Sequence, residues 1–575
     1  MKKVLLLVVS AIMACTSVFA QWNSDPNVNL LVWDETYSAY SNEMGMTSDG
    51  GVWVAIDHSS DGTGVHTSVQ LVDSMGNLKF EKPIQLNDYQ APTWTVTGQI
   101  LFVDRDDNAI VAATDFRHAP AGKKTWSYSV YKISPEGEFL WGKDGISLEG
   151  DKSHKYVVSM TICQLDDGSY VFAWTHTEKN KYTLEMQRIS EEGEMLWDAD
   201  KMRLEDPNIS FTNPYLVNGG NNQVILIYSK GSNMDFVARK IDFDGEPVWS
   251  EETKIYNGGW GNVPPWTIIE VHPTNDGGFF MSWYDDRYMT DIESPYMAYV
   301  KGNGELGFYE PNGLKLWYED RLRAMNVSSA YDPATDAFYA IWNQESAGQS
   351  WNGVRAQKIS KEGELLWGEY GIELKKLQQG ASYGYSSVRP GINDEIGFFY
   401  MRSIDLAGTN VESFITLVNA NDTTIRREME FTKAENSHVR TNLETTEMYD
   451  GRYWIAKWKE SNTNSSGDRL VLQRINNDFT LGNTAVEGIQ INENRFEALA
   501  TIVENEAMFT TNFDMATQAT LSIYNMNGAL VATPFDGVLN AGTQYISWIT
   551  NVPAGIYVAT LSTAQGIETV KIMVK

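Results

Sequence analysis

One short run, repeated through the chain, limits what this sequence can fold into more than any other feature. YSVYKISPEGEFLWGKDGISLEG, from Tyr128, places alternating apolar residues on both sides of a glycine turn. This is the period-two pattern of two antiparallel strands joined by a tight hairpin. Close copies begin at Leu184, Phe236 and Val354, weaker ones surround Gly76, Gly304 and Asp478, and a degenerate one without glycine or tryptophan surrounds Asp422. The turn residues Gly76, Gly137, Gly193, Gly245, Gly304, Gly363, Asp422 and Asp478 recur every 52 to 61 residues. A fixed period of this length marks a repeated supersecondary unit.

Upstream of each hairpin lies a polar turn followed by a short apolar strand, as in DGGVWVAID at Asp49 and NDGGFFMSWYD at Asn275. Each unit therefore reads strand, D/N/G turn, strand, loop, strand, glycine turn, strand. Four antiparallel strands per unit make a propeller blade. A blade alone cannot bury its faces, and radial closure also removes open sheet edges. The expected fold class is all-β: an eight-bladed β-propeller followed by a small C-terminal β-sandwich. Seven blades are the alternative, because the Asp422 copy is so degenerate. Trp141, Trp197, Trp249 and Trp367, with Phe80 and Phe308 in weaker copies, are expected to pack between neighbouring blades.

The expected organisation is a signal peptide over 1–20, eight repeats of about 57 residues over 21–491, and a last domain over 492–575. Lys2 and Lys3, the apolar run Val4 to Met13 and the small-residue site before Gln21 predict secretory cleavage between Ala20 and Gln21. A lipobox at Cys15 is the competing reading. After cleavage at Ala20, Cys163 is the single cysteine, so the exported chain is expected to hold together without disulfides. The net charge of −30 argues against nucleic acid and anionic membranes as partners. No later apolar run is long enough to predict a transmembrane segment. Residues 21–48 include NLLVWDETYSAY, a strand that could close the ring, although FTLGNTAVEGIQI supplies the last repeat with an outer strand of its own.

The D/N/G turns and glycine hairpins fall on one rim and are short. The opposite rim carries long, varied loops, the usual place for binding groups. The candidate ligand-binding residues there are Trp94, Tyr215, Trp260, Trp266, Asp285, Asp286, Arg287, Trp351, Tyr383 and Tyr385. Aromatic rings beside carboxylates and amides suit sugar rings and peptide ligands alike. Asp285, Asp286, Asp291 and Glu293 are the acids that paired-carboxylate glycoside cleavage would draw on. No catalytic residue is assigned. The seven histidines are scattered, with no HExxH and no short-spaced pair on one strand, so no metal site is expected.

Two catalytic families share fragments of the repeat. The hairpin resembles the sialidase Asp box, but Ser134 lies three before Gly137 and Trp141 four after, which is the wrong spacing. The glycine-to-tryptophan spacing is similar to the structural repeats of quinoprotein dehydrogenases. Many of those enzymes carry a vicinal disulfide that one mature cysteine cannot form, and no cofactor is expected.

Near the C-terminus the repeat stops and short strands follow, with turns at Asn527-Gly528 and at Pro553-Ala554-Gly555. The succession IYNMNG, VPAGIYVATL and the closing VKIMVK resembles the type A C-terminal sorting domain of type IX secretion cargo. The residues carrying the resemblance are Asn527, Gly528, Pro553, Gly555, Ile556, Tyr557 and Lys571. The resemblance implies the type IX machinery as a partner and a secreted or cell-surface location. The expected function is a secreted binding or adhesion module for a glycan or protein ligand. A propeller glycoside hydrolase or lyase and a structural surface-layer component are the alternatives.

Overall fold

The repeat becomes eight four-stranded antiparallel sheets in the described residues of a computed structural model. These are residues 22–575 except 35–37, 60–64, 87–99, 179–180, 199–201, 232–233, 259–262, 264–266, 268, 290–291, 309, 311, 406–409, 434–437, 463–466, 484–495, 501, 514–515, 527–528, 541 and 564–565. Blades 1 to 7 span 38–85, 100–147, 157–204, 211–256, 270–315, 322–379 and 382–432, each a meander of strands A to D. Blade 8 takes strands A to C from 438–476. Its fourth strand is Leu30–Trp33, which pairs antiparallel with Asp468–Asn476. The N-terminal segment therefore closes the ring. Residues 484–491 of FTLGNTAVEGIQI lie outside the described residues, and the outer-strand position is filled from the other end of the chain.

The hairpin signature has a local cause. In blade 1 the Asp73 carboxylate accepts backbone N–H bonds from Met75 (2.9 Å) and Asn77 (2.8 Å). In blade 4 Asp242 does the same for Asp244 (3.0 Å) and Glu246 (2.9 Å), and Ser134 and Ser360 offer hydroxyls to the equivalent N–H groups. An Asx or Ser turn leads into a glycine at φ near +88°, where a side chain would be strained.

That glycine has a second role. A Cβ on Gly193 would stand 2.8 Å from Trp141 Cδ1, and on Gly304 2.8 Å from Trp249 Cδ2. Gly137 meets Phe80 and Gly363 meets Phe308 in the same way. The missing side chain makes room for the previous blade's aromatic ring. The Trp141 indole N–H donates to the Glu191 carbonyl (3.0 Å), Trp197 to Phe243 (2.8 Å), Trp249 to Gly302 (3.2 Å) and Trp367 to Ala420 (3.2 Å). In each case the acceptor lies two residues before the next blade's turn residue. Trp22 completes the circle, donating to Ser74 (2.9 Å), two residues before Gly76.

Eight buried apolar clusters correspond to the eight blade interfaces, including the one between blades 8 and 1. The degenerate Asp422 copy still forms a full sheet, with Val411–Asn419 pairing Ile425–Thr432. The count is eight.

The described residues up to Gly482 and those from Asn483 onward form two compact units. In the second, a three-stranded sheet (Phe496–Ala498, Glu506–Phe513, Gly542–Ile549) and a five-stranded sheet enclose a core that includes Phe509, Leu521, Trp548 and Leu561. Tyr557 is buried there against Trp548, and its hydroxyl donates to the Pro553 carbonyl (2.7 Å). The Pro-x-Gly-x-Tyr motif is thus a turn held by its own tyrosine. Gly555 and Ile556 pair with Val574 and Met573, and Lys571 is exposed opposite Val558. Asn527 and Gly528 lie outside the described residues, as do Ala20 and Gln21.

Candidate functional site

A bulge near the start of the innermost strand prepares the variable rim. Register slips occur between Val158 and Met160, Thr212 and Tyr215, Met325 and Ser328, Gly384 and Ser387, and Thr441 and Glu444. Each slip holds one residue in the left-handed region: Ser159, Asn213, Asn326, Tyr385 and Asn442, with φ from +48° to +59°. Small polar residues tolerate that conformation, and bulges of this kind re-aim side chains beside binding sites. Tyr385, at φ +48°, is the bulky exception.

Three of these bulges, in blades 6, 7 and 8, border a cavity of about 450 Å³. Asn326, Ser382, Tyr385, Ser403 and Thr441 provide polar groups, while Met401, Val411 and Val439 provide an apolar wall. Tyr385 is 42% exposed, and the desolvation of its phenol raises its pKa. Arg440 also lines the cavity but is internally engaged. Its guanidinium donates to Glu460 (2.8 Å) and to the carbonyls of Val411 and Lys433. The accessible chemistry is amide, hydroxyl and one aromatic face.

The other rim candidates are distributed differently. Tyr383 lines the same cavity but is buried, edge-on to Tyr400, and its hydroxyl accepts a hydrogen bond from Gln378 (2.7 Å). Tyr215 packs against the core between blades 4 and 5, and burial with the nearby Glu270 charge pushes its phenol up to about 12. Trp351 is 43% exposed at the start of strand C of blade 6. Trp94, Trp260 and Trp266 lie outside the described residues.

Asp285 and Arg287 form a closed pair instead of an open binding group. Buried Asp285 accepts from the Trp283 indole (3.0 Å) and from two guanidinium nitrogens of Arg287 (2.8 and 2.6 Å). Arg287 stacks over Tyr296 and donates to the Asn312 carbonyl (2.9 Å). Asp115 and Arg117 repeat the arrangement in blade 2. Asp286 is half-buried beside the pair.

Sequence reasoning missed Asn326 and Thr441. A findable signal existed: Ser159, Asn213, Asn326, Tyr385 and Asn442 each stand seven residues before the same point of the A–B turn (Asp166, Gly220, Pro333, Ile392 and Tyr449). A second group was also missed. Glu43, on strand A of blade 1, is pushed up to about 8 by burial, then by the nearby Glu444 charge, with Lys457 opposing and Asp57 adding to the rise. Lys457 is ion-paired with Glu444 on strand A of blade 8.

Fold and rim together define a closed eight-bladed β-propeller with a polar cavity beside its innermost strands, followed by a β-sandwich. Residues 505–575 match the family model of the secretion system C-terminal sorting domain. The chain is thus a type IX secretion cargo protein, a repeat propeller followed by a sorting domain that implies export to the cell surface or beyond. No curated protein matches the chain. Solved structures similar to it include a protein of unknown function from Dyadobacter fermentans DSM 18053 (10% identity, TM-score 0.34, covering 78% of this chain and 98% of that one). The polysaccharide lyase Uly1 (10%, 0.41, 80% and 98%) and the Dos1 propeller (10%, 0.37, 76% and 95%) are two others.

Proposed function

We propose that the exported propeller is a surface or secreted binding module whose cavity between blades 6, 7 and 8 takes a neutral, hydroxyl-rich ligand, a glycan segment. The observation that carries this is Tyr385: an aromatic ring held in a strained backbone conformation, partly exposed, at the mouth of a cavity lined with amides and hydroxyls. Strain of this kind persists where surrounding structure enforces it, and it clusters at ligand sites. A tyrosine face stacks on sugar C–H groups while Asn and Ser groups meet hydroxyls. In this reading residues 1–20 are removed between Ala20 and Gln21 during export.

The test is a glycan screen of the full chain, followed by affinity measurement on the best hit. Tyr385→Ala and Asn326→Ala should each weaken binding by roughly tenfold, about 1.4 kcal/mol. Unchanged affinity in both variants would remove the cavity from consideration.

One observation favours a second reading, carbohydrate cleavage by a propeller hydrolase or lyase. Glu43 retains its proton near neutral pH while its neighbour Glu444 is ion-paired with Lys457, and environments that separate two acids in this way suit acid–base chemistry. New reducing ends or unsaturated products in the same screen, abolished by Glu43→Gln, would establish that reading in place of simple binding.

A further inference from the structure

We propose that Glu149, His154 and His176 form a binding site for one divalent transition-metal ion, zinc by ligand type, on the variable rim between blades 2 and 3. Glu149 follows strand D of blade 2, and His154 lies in the connection to blade 3. His154 is fixed by two backbone hydrogen bonds with Trp126, each 2.8 Å. His176 is fully buried on strand B of blade 3, Tyr170–Glu178, in register with Thr183. The side chains thus come from a strand and a bridged connection, both positioned by backbone pairing.

The ligand atoms lie within 4.8 Å of one another. His154 Nε2 is 2.8 Å and His176 Nε2 3.7 Å from Glu149 Oε1. Ligands held at about 2.0–2.1 Å from a tetrahedral ion stand about 3.3 Å apart. The observed separations bracket that value, so small side-chain adjustments suffice. Imidazole nitrogen with carboxylate oxygen is a donor set suited to zinc.

A second observation points to a cation independently. The other carboxylate oxygen, Glu149 Oε2, is buried with no hydrogen-bond partner among the described residues. A buried carboxylate oxygen without a donor is costly, and a metal ion satisfies it. The two imidazoles also lie close together, with ring centroids 3.7 Å apart and planes inclined by 35°, and both bring Nε2 to the same carboxylate. Glu185 completes the surroundings. Its Oε1 is 3.1 Å from His176 Nε2, and Arg203 pairs with it. Glu185 is held by Arg203, which leaves the fourth coordination position to a solvent or ligand oxygen.

The experiment uses the full chain, stripped with a chelator and titrated with zinc sulfate by calorimetry and thermal denaturation. One zinc ion per chain should bind and raise the melting temperature. His154→Ala and Glu149→Gln should weaken binding at least tenfold while the fold is retained by circular dichroism. His272→Ala, which alters a different His–Glu pair, should leave uptake unchanged. Failure of the wild-type chain to bind stoichiometric zinc, or uptake that survives both His154→Ala and Glu149→Gln, would overturn the proposal.

Discussion

Tyr385 is held at φ +48°, a conformation that costs a bulky residue about 1–3 kcal/mol, in a bulge where neighbouring blades use Asn or Ser. Tyr385→Asn should therefore stabilise the propeller by about 1 kcal/mol in chemical denaturation while weakening glycan binding. A destabilised variant would show that the ring is needed for packing, not for a ligand. Glu43 gives a pH prediction. Its folded-state pKa of about 8 lies above the ordinary carboxylate value, so the folded protein holds the extra proton between about 4.5 and 8. The associated stability is complete below that window and is lost as pH rises through 8. Glu43→Gln should flatten this loss, leaving the variant more stable than wild type above pH 8 by an amount on the order of a few kcal/mol. Parallel stability–pH curves for the two proteins would contradict it. Neither residue was legible as special in the sequence. Tyr385 appeared as one rim aromatic among several, and Glu43 is raised by tertiary burial and then by the charge of Glu444, some 400 residues away.

The elements of the blades were legible because their causes are local: an Asx or Ser turn, a glycine at positive φ, and alternating apolar residues. The pairing of each glycine with the preceding blade's aromatic predicts a graded response. Gly193→Val, whose side chain would collide with Trp141, should destabilise by about 3 kcal/mol or more. Gly142→Ala, at φ +82° with nothing within 4 Å, should cost only about 1 kcal/mol of backbone strain. Equal losses, read by equilibrium denaturation, would mean that conformation alone selects the glycines. Closure was less legible, because Trp22 and Leu30–Trp33 meet their partners more than 400 residues later or on a different blade, where no period reaches. Trp22 nevertheless makes the same bond as the repeat tryptophans. Trp22→Ala should thus cost about 3–5 kcal/mol, as for a buried aromatic, and should increase proteolysis at the junction of blades 8 and 1. Protease resistance equal to wild type would assign closure to the strand alone. The binding loops were legible in position but not in role. Asp285 and Arg287 have the residue types of a ligand site, yet two residues apart on one strand end they reach each other first.

At the scale of the molecule, every strand of the eight blades comes from residues 30–476, and the chain after Gly482 forms its own core. Each ring interface is an apolar cluster joined by an indole-to-carbonyl bond or a comparable contact. The one described cysteine, Cys163, is free and buried, and its thiol pKa is raised by burial. Stability of the ring should therefore be indifferent to reductant and to the sorting domain. Passage of the outer membrane should depend on that domain, because residues 505–575 carry the sorting-domain match. A chain ending at Gly482 should melt at the same temperature as the ring of the full protein, bind the same glycan, and accumulate inside the outer membrane. Cell fractionation and calorimetry separate the possible failures. Surface arrival of the truncated chain would refute dependence on the sorting domain, and loss of its thermal transition would show that the ring needs the residues beyond 482 to fold.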